Sequence, residues 1–218
     1  MKLTNCKLLL CCAALSAYAA LPSAPLFENG DVRVFRALEK AHVKGGFHEH
    51  KPNRVMVYLQ AGKQRFEFQD GRAAKVFDWK PGQVVWSLAD GMHSPEVLSD
   101  ESFNIVEVEL KKPGSGKAFS GRDGLKADSA HYSQEVDNDQ VRVLRLKLPA
   151  HQSTPLVENA HNTVAVFVND QEFSMTDAAG KSQAGAHKMG DAVWLAPGSS
   201  KLENTGSTAL EMVLVELK

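Results

Sequence analysis

From Val32 onward the chain alternates between short runs of β-branched, aromatic and aliphatic residues and clusters of turn residues, with no sustained helical period. The runs Val32–Ala37, Val55–Gln60, Gln64–Phe68, Val84–Ser87 and Phe103–Leu110 are predicted strands, and Gln69-Asp70-Gly71 and Lys80-Pro81-Gly82 mark turns between them. Near the end, Met212 and Leu214 alternate with Val213 and Val215, so that strand is apolar on both faces and both must be covered. Closely spaced strands over about eighty residues suggest a small sandwich or barrel. Two-sided apolar strands imply that two such units pack on each other.

The pattern is written twice, at a period of about 108 residues. Asn29-Gly30-Asp31-Val32-Arg33-Val34 answers Asn138-Asp139-Gln140-Val141-Arg142-Val143, and Gly82-Gln83-Val84-Val85-Trp86 answers Gly190-Asp191-Ala192-Val193-Trp194. Both copies close on the same four residues, Val108-Glu109-Leu110-Lys111 and Val215-Glu216-Leu217-Lys218. The expected units are residues 28–111 and 136–218. Residues 112–135, polar and rich in glycine around Pro113 to Ala130, are read as a linker.

Composition changes this picture only at the N-terminus. The sequence has 25 Lys+Arg and 26 Asp+Glu, with no basic block or acidic tail, which argues against a nucleic-acid partner. Residues 1–19 differ: a short basic start, an apolar run from Leu8 to Leu15, and Ala17-Tyr18-Ala19 form a secretory signal peptide, too short for a membrane span. The expectation is an exported protein, periplasmic or extracellular. Cys6, Cys11 and Cys12 all lie in that segment, so the mature chain would have no thiolate, and any metal would be held by nitrogen and oxygen.

The stretch richest in chemistry is Ala41 to Gly62. His48 and His50, two apart, aim at one face if the strand before Val55 extends back through them. His93, at the end of the strand-like run from Val84, is the third imidazole, and together they suit a divalent first-row metal with open positions for water and ligand. Arg54 reads either as a clamp for a substrate carboxylate or, more simply, as a salt-bridged rim residue. Glu49 falls on the opposite face.

These residues resemble the two motifs of the cupins, and the duplication resembles a bicupin. His48-Glu49-His50 followed by Gly62 fits the first motif, although His42 stands where its first glycine belongs. Gly82 and His93 fit the second, with Leu88, Asp90 and Val97 in place of its proline, glycine and asparagine. The resemblance implies an all-β fold of two tandem double-stranded β-helix (jelly-roll) barrels, with the histidines in a barrel mouth. It also implies a metal, whether Fe, Mn, Ni or Zn, and dioxygenase or isomerase chemistry on a small molecule. The family's carboxylate ligand is missing, its place falling on Arg54 or Val55. Glu107 is a candidate fourth ligand if its face of the last strand points inward, and Arg54, Tyr58 and Gln60 are candidates to orient a ligand.

At the repeat offset His48, His50 and His93 become Val157, Asn159 and Lys201, which cannot form a triad. The second unit is therefore expected to be scaffold or dimerisation surface, and the chain a monomeric pseudo-dimer or a homodimer. No Gly-x-Ser-x-Gly elbow or catalytic cysteine is present, so enzymatic function would rest on the metal; the alternative is a non-enzymatic small-molecule-binding or structural protein.

Overall fold

The structure is a computed structural model that describes residues 25–218 apart from 118 and 120; the predicted signal peptide lies outside the described residues. The first repeat forms β1 (Phe27–Glu28), β2 (Val32–Glu39), β3 (His48–His50), β4 (Arg54–Tyr58), β5 (Gly62–Phe68), β6 (Lys75–Trp79), β7 (Val84–Ser87), β8 (Asp90–Val97) and β9 (Phe103–Leu110). After the short helix α1 (Gly124–Ala127) the second forms β10 (Tyr132–Asp137), β11 (Val141–Leu148), β12 (Val157–Asn159), β13 (Thr163–Phe167), β14 (Gln171–Asp177), β15 (Ser182–His187), β16 (Ala192–Leu195), β17 (Gly198–Asn204) and β18 (Leu210–Leu217).

Each repeat makes a five-stranded and a four-stranded antiparallel sheet in matching order: β1-β2-β9-β4-β7 with β3-β8-β5-β6, then β10-β11-β18-β13-β16 with β12-β17-β14-β15. Within a repeat the two sheets pack face to face as a jelly roll. The expected all-β, two-barrel architecture is what the chain adopts.

The period of two along each strand divides the labour. On β4, Met56 and Tyr58 point into the first barrel beside Trp79, Val97, Phe103 and Ile105. Val55 and Val57 point the other way, into a core shared with Val164, Val166, Val213 and Val215 of the second repeat. The two five-stranded sheets thus lie back to back, and valine alternation on both explains why those strands are apolar on both faces. Gly62 is dictated by close approach, since a Cβ there would lie 2.2 Å from the ring of Phe103.

Two sequence expectations change. The stretch 112–135 is not a plain spacer: it contains α1 and the first residues of β10, so the second barrel begins at Tyr132. The run from Val84 to His93 is not one strand either. It is β7 in the five-stranded sheet, then the two-residue connection Leu88-Ala89, then β8 in the four-stranded sheet. Gly91 and Pro95, poor strand residues, hide β8 from a propensity reading. Among the described residues no helix is long and apolar enough to cross a membrane.

Candidate metal centre

β3 is a three-residue edge strand held against β8, with His48 opposite His93 and His50 opposite Asp90 across a bulge. The pairing continues outward through Gly45 N–H to the Pro95 carbonyl (2.7 Å) and Val97 N–H to the Val43 carbonyl (3.0 Å). Adjacent placement in one sheet brings together imidazoles more than forty positions apart in sequence. One nitrogen from each of the three rings lies within 4.8 Å of the other two, and the ring centroids are 4.7 to 5.5 Å apart.

The ring hydrogen bonds fix which nitrogens are free. Nδ1 of His48 lies 3.0 Å from the Gly46 carbonyl and Nδ1 of His93 lies 3.1 Å from the Gly91 carbonyl. A carbonyl oxygen only accepts, so Nδ1 carries the proton and Nε2 keeps its lone pair. His50 turns Nδ1 toward Glu109 Oε1 at 3.7 Å, and Glu109 in turn faces Arg33 at 3.6 Å. Burial holds the pKa of His93 below its ordinary value, against the pull of the Gly91 carbonyl, and the nearby His48 and Arg54 charges act in the same direction as burial. A neutral imidazole is the form that binds metal. His48 is exposed, His50 half-buried and His93 buried, so the cluster opens to solvent on one side.

Three such nitrogens fit a first-row dication. A tetrahedral site with bonds of about 2.1 Å sets its nitrogens about 3.4 Å apart, and here they lie within 4.8 Å of one another. Of the expected supporting residues, Glu107 does point inward, because β9 turns Ile105, Glu107 and Glu109 to the barrel interior and Val106 and Val108 to the shared core. It is not among the residues of the cluster but faces Arg54, whose Nε lies 3.2 Å from Glu107 Oε2. Arg54 is not a rim residue; it is 5 % exposed, as is Glu107. The pair lies off the hydrogen-bond line, leaving Arg54 Nε and Nη1 and Glu107 Oε2 without a hydrogen-bond partner among the described residues. Burial pushes the Glu107 carboxyl above its ordinary range, against the pull of Arg54.

Tyr58 stacks on Trp79 at 4.0 Å in the apolar floor of the barrel. Gln60 is turned elsewhere: its Oε1 accepts the Asn104 N–H at 2.7 Å and its Nε2 faces Met189 Sδ. The structure therefore does not bring Gln60 to the histidines. Sequence reading missed Glu39 and Gln64. Gln64, 2 % exposed, donates to Glu39 Oε2 at 3.0 Å and accepts from Trp79 Nε1 at 3.1 Å. Burial, reinforced by the Glu107 charge, raises the Glu39 pKa to about 7. Inward alternation on β2 and β5 was the available signal, obscured because both residues sit in otherwise ordinary strands.

In the second barrel Val157 and Asn159 occupy the positions of His48 and His50. Register puts Ser200 opposite Val157, so Ser200 and not Lys201 takes the place of His93. β17 is one residue shorter than β8, and Lys201 is exposed on its outer face. Among the described residues the first-barrel triad is the one histidine-rich cluster able to hold a metal.

No family model matches the sequence, and no curated protein matches it. Solved structures do match. AerE from Microcystis aeruginosa is 13 % identical, with a TM-score of 0.63 over 89 % of this chain and 96 % of its own. Vicilin from hazelnut, Corylus avellana, is 12 % identical with a TM-score of 0.58, covering 85 % of this chain and 74 % of its own. Oxalate decarboxylase from Bacillus subtilis, a protein with Mn(II) centres, is 10 % identical with a TM-score of 0.56, covering 85 % of this chain and 68 % of its own. These likenesses are ones of fold: the chain folds as two tandem jelly-roll barrels arranged as in those proteins, with a three-histidine cluster in the first.

Proposed function

We propose that this protein is an exported bicupin that binds one divalent first-row metal in its N-terminal barrel and takes a small organic acid beside it. The observation that carries the reading is the convergence of His48, His50 and His93, with Nδ1 of two of them anchored on backbone carbonyls so that Nε2 is available. His48, His50 and His93 would hold the ion, which when bound supplies Lewis-acid polarisation or oxygen activation at its open positions. Glu109 faces the His50 ring at Nδ1 across 3.7 Å. Arg54, buried with an unpartnered Nη1, offers a donor to an acid entering the barrel. The Mn(II) centres of the structurally similar oxalate decarboxylase support metal use on this fold.

Metal analysis of the purified protein tests the reading. About one ion per chain is expected, falling below about a tenth in His48→Ala and His93→Ala. Protein that stays metal-free when offered iron, manganese, nickel and zinc would overturn it. A binding-only role has one observation in its favour, that Glu107 is engaged with Arg54 and does not join the three nitrogens. Oxygen uptake or substrate isomerisation by metal-loaded protein with small carboxylic acids decides for catalysis; ligand-induced stabilisation without turnover decides for binding alone. Export is read from residues 1–19, and N-terminal sequencing of the mature protein should find the chain starting at or near Ala20.

A further inference from the structure

The second barrel has its own buried polar cage, and the chain fills it from within. Arg142, 6 % exposed, donates through Nε to Glu216 and through Nη1 to Asp123, a linker residue only 1 % exposed. The other Asp123 oxygen accepts the Lys126 N–H at 2.9 Å. The ring of Phe119 lies 4.4 Å from the Arg142 guanidinium carbon. Leu125 packs against the barrel's internal core of Leu144, Leu146, Phe167 and Met212. The backbone is tied to β12 by Glu158 N–H to the Arg122 carbonyl, 3.0 Å, and by Arg122 N–H to Glu158 Oε2, 3.1 Å. The segment from Gly121 to Ala127 is thus a stopper, apolar at Leu125 and anionic at Asp123.

Two observations separate this from an ordinary packed linker. The Arg142–Glu216 pair is the repeat counterpart of Arg33–Glu109 in the first barrel, so Arg142 already has its neutralising partner and Asp123 is a second carboxylate on it. Even with both, Arg142 Nη2 remains buried and without a hydrogen-bond partner among the described residues, so the cage still holds a spare donor. We propose that the second barrel is a carboxylate pocket kept shut by the chain's own linker: Asp123 is its resident carboxylate, and with that segment withdrawn the Arg142 cage takes a small free monocarboxylate such as acetate or formate. The tether gives Asp123 a high effective concentration, so a free acid competes only in the millimolar range or above. This pocket is independent of the metal cluster, and its test leaves metal content unchanged.

The experiment compares wild type with Asp123→Ala, each titrated with sodium acetate against sodium chloride at matched ionic strength. Removing one carboxylate from a buried pair should lower Tm by about 10 °C, and acetate but not chloride should restore several degrees of it. Wild type should not respond, and Asp123→Ala/Arg142→Gln should lose the response. Equal responses to the two salts, or a response that survives loss of Arg142, would overturn the proposal. If Asp123→Ala does not fold, Leu125→Ala serves instead, because it loosens the stopper and leaves Asp123 in place. Tryptic cleavage after Arg122 and Lys126 should then accelerate with acetate and not with chloride, and indifference to acetate would equally overturn it.

Discussion

The two barrels share a backbone plan and differ inside. At matching inward positions the first has Glu39, Arg54, Tyr58, Gln64 and Glu107, where the second has Leu148, Thr163, Phe167, Phe173 and Leu214. Tyr58 stacks on Trp79 at 4.0 Å, and its counterpart Phe167 stacks on His187 at 4.1 Å. The first interior is polar and open at the His48 side; the second is apolar at these positions and gathers its buried charges at Arg142, Glu216 and Asp123. A buried polar group costs stability unless it is hydrogen-bonded or paired.

The sharpest way to break this contrast is to give the first barrel the second's residues. Arg54→Thr alone leaves Glu107 buried without its cation, and should cost about 3–5 kcal/mol, read by urea unfolding. Arg54→Thr/Glu107→Leu should recover most of that loss. A double variant no more stable than the single would show that an unpaired Glu107 is not the source of the loss.

Next in size is the pH dependence set by Glu39. Its carboxyl is raised from an ordinary 4.5 to about 7, with burial the main cause. A raised folded-state value means the unfolded chain releases the proton first, so its stabilising contribution is full below pH about 4.5 and is lost as pH rises to about 7. The difference is worth about 3 kcal/mol across that window. Glu39→Leu, the second barrel's choice, should flatten the stability profile between those values. A profile unchanged by the substitution would remove Glu39 from the account.

Metal removal should have a comparable effect confined to the first barrel. At a free metal concentration of about 100 Kd, binding stabilises by about 2.7 kcal/mol. Chelation should therefore lower Tm and speed amide exchange in β3 and β8 while leaving β12 and β17 unchanged. His48→Ala should show no chelator effect. Equal loosening of both barrels would contradict a site held by the first alone.

The smallest expected effect concerns a turn the two barrels share. His42 and His151 occupy equivalent positions with φ of 56° and 60°, in turns closed by Val43 N–H to the Lys40 carbonyl and Gln152 N–H to the Pro149 carbonyl. Left-handed backbone favours glycine. His42→Gly should stabilise the protein by up to about 1 kcal/mol without changing metal content.

Much of the architecture was legible because it is carried by repetition and alternation. The paired Asn29–Val34 and Asn138–Val143 segments reveal the duplication, and Met212 to Val215 reveals the shared core before any contact is known. His48 and His50 are legible as partners because strand geometry fixes residues two apart. Tertiary pairing was not legible. Whether Glu107 or Val106 faces inward depends on the register of β9 with β2 and β4, and Gln60 falls beyond the end of β4, in a turn where its side chain caps Asn104. Lys201 was misplaced because β17 lacks one residue, and a one-residue slip turns a side chain to the other face. The stopper was invisible because Asp123 and Leu125 sit in a glycine-rich stretch whose composition resembles a solvated connection.

The back-to-back valine layer has its own consequence for handling the molecule. Val32, Val34, Val55, Val57, Val106 and Val108 meet Val141, Val143, Val164, Val166, Val213 and Val215, the same residue at each equivalent place. Either half expressed alone would present a wide water-repelling wall, so severed halves should clump or find each other again in solution. Because only outward-facing positions build that wall, the inward positions of each half can be rewritten without loosening its grip on the other.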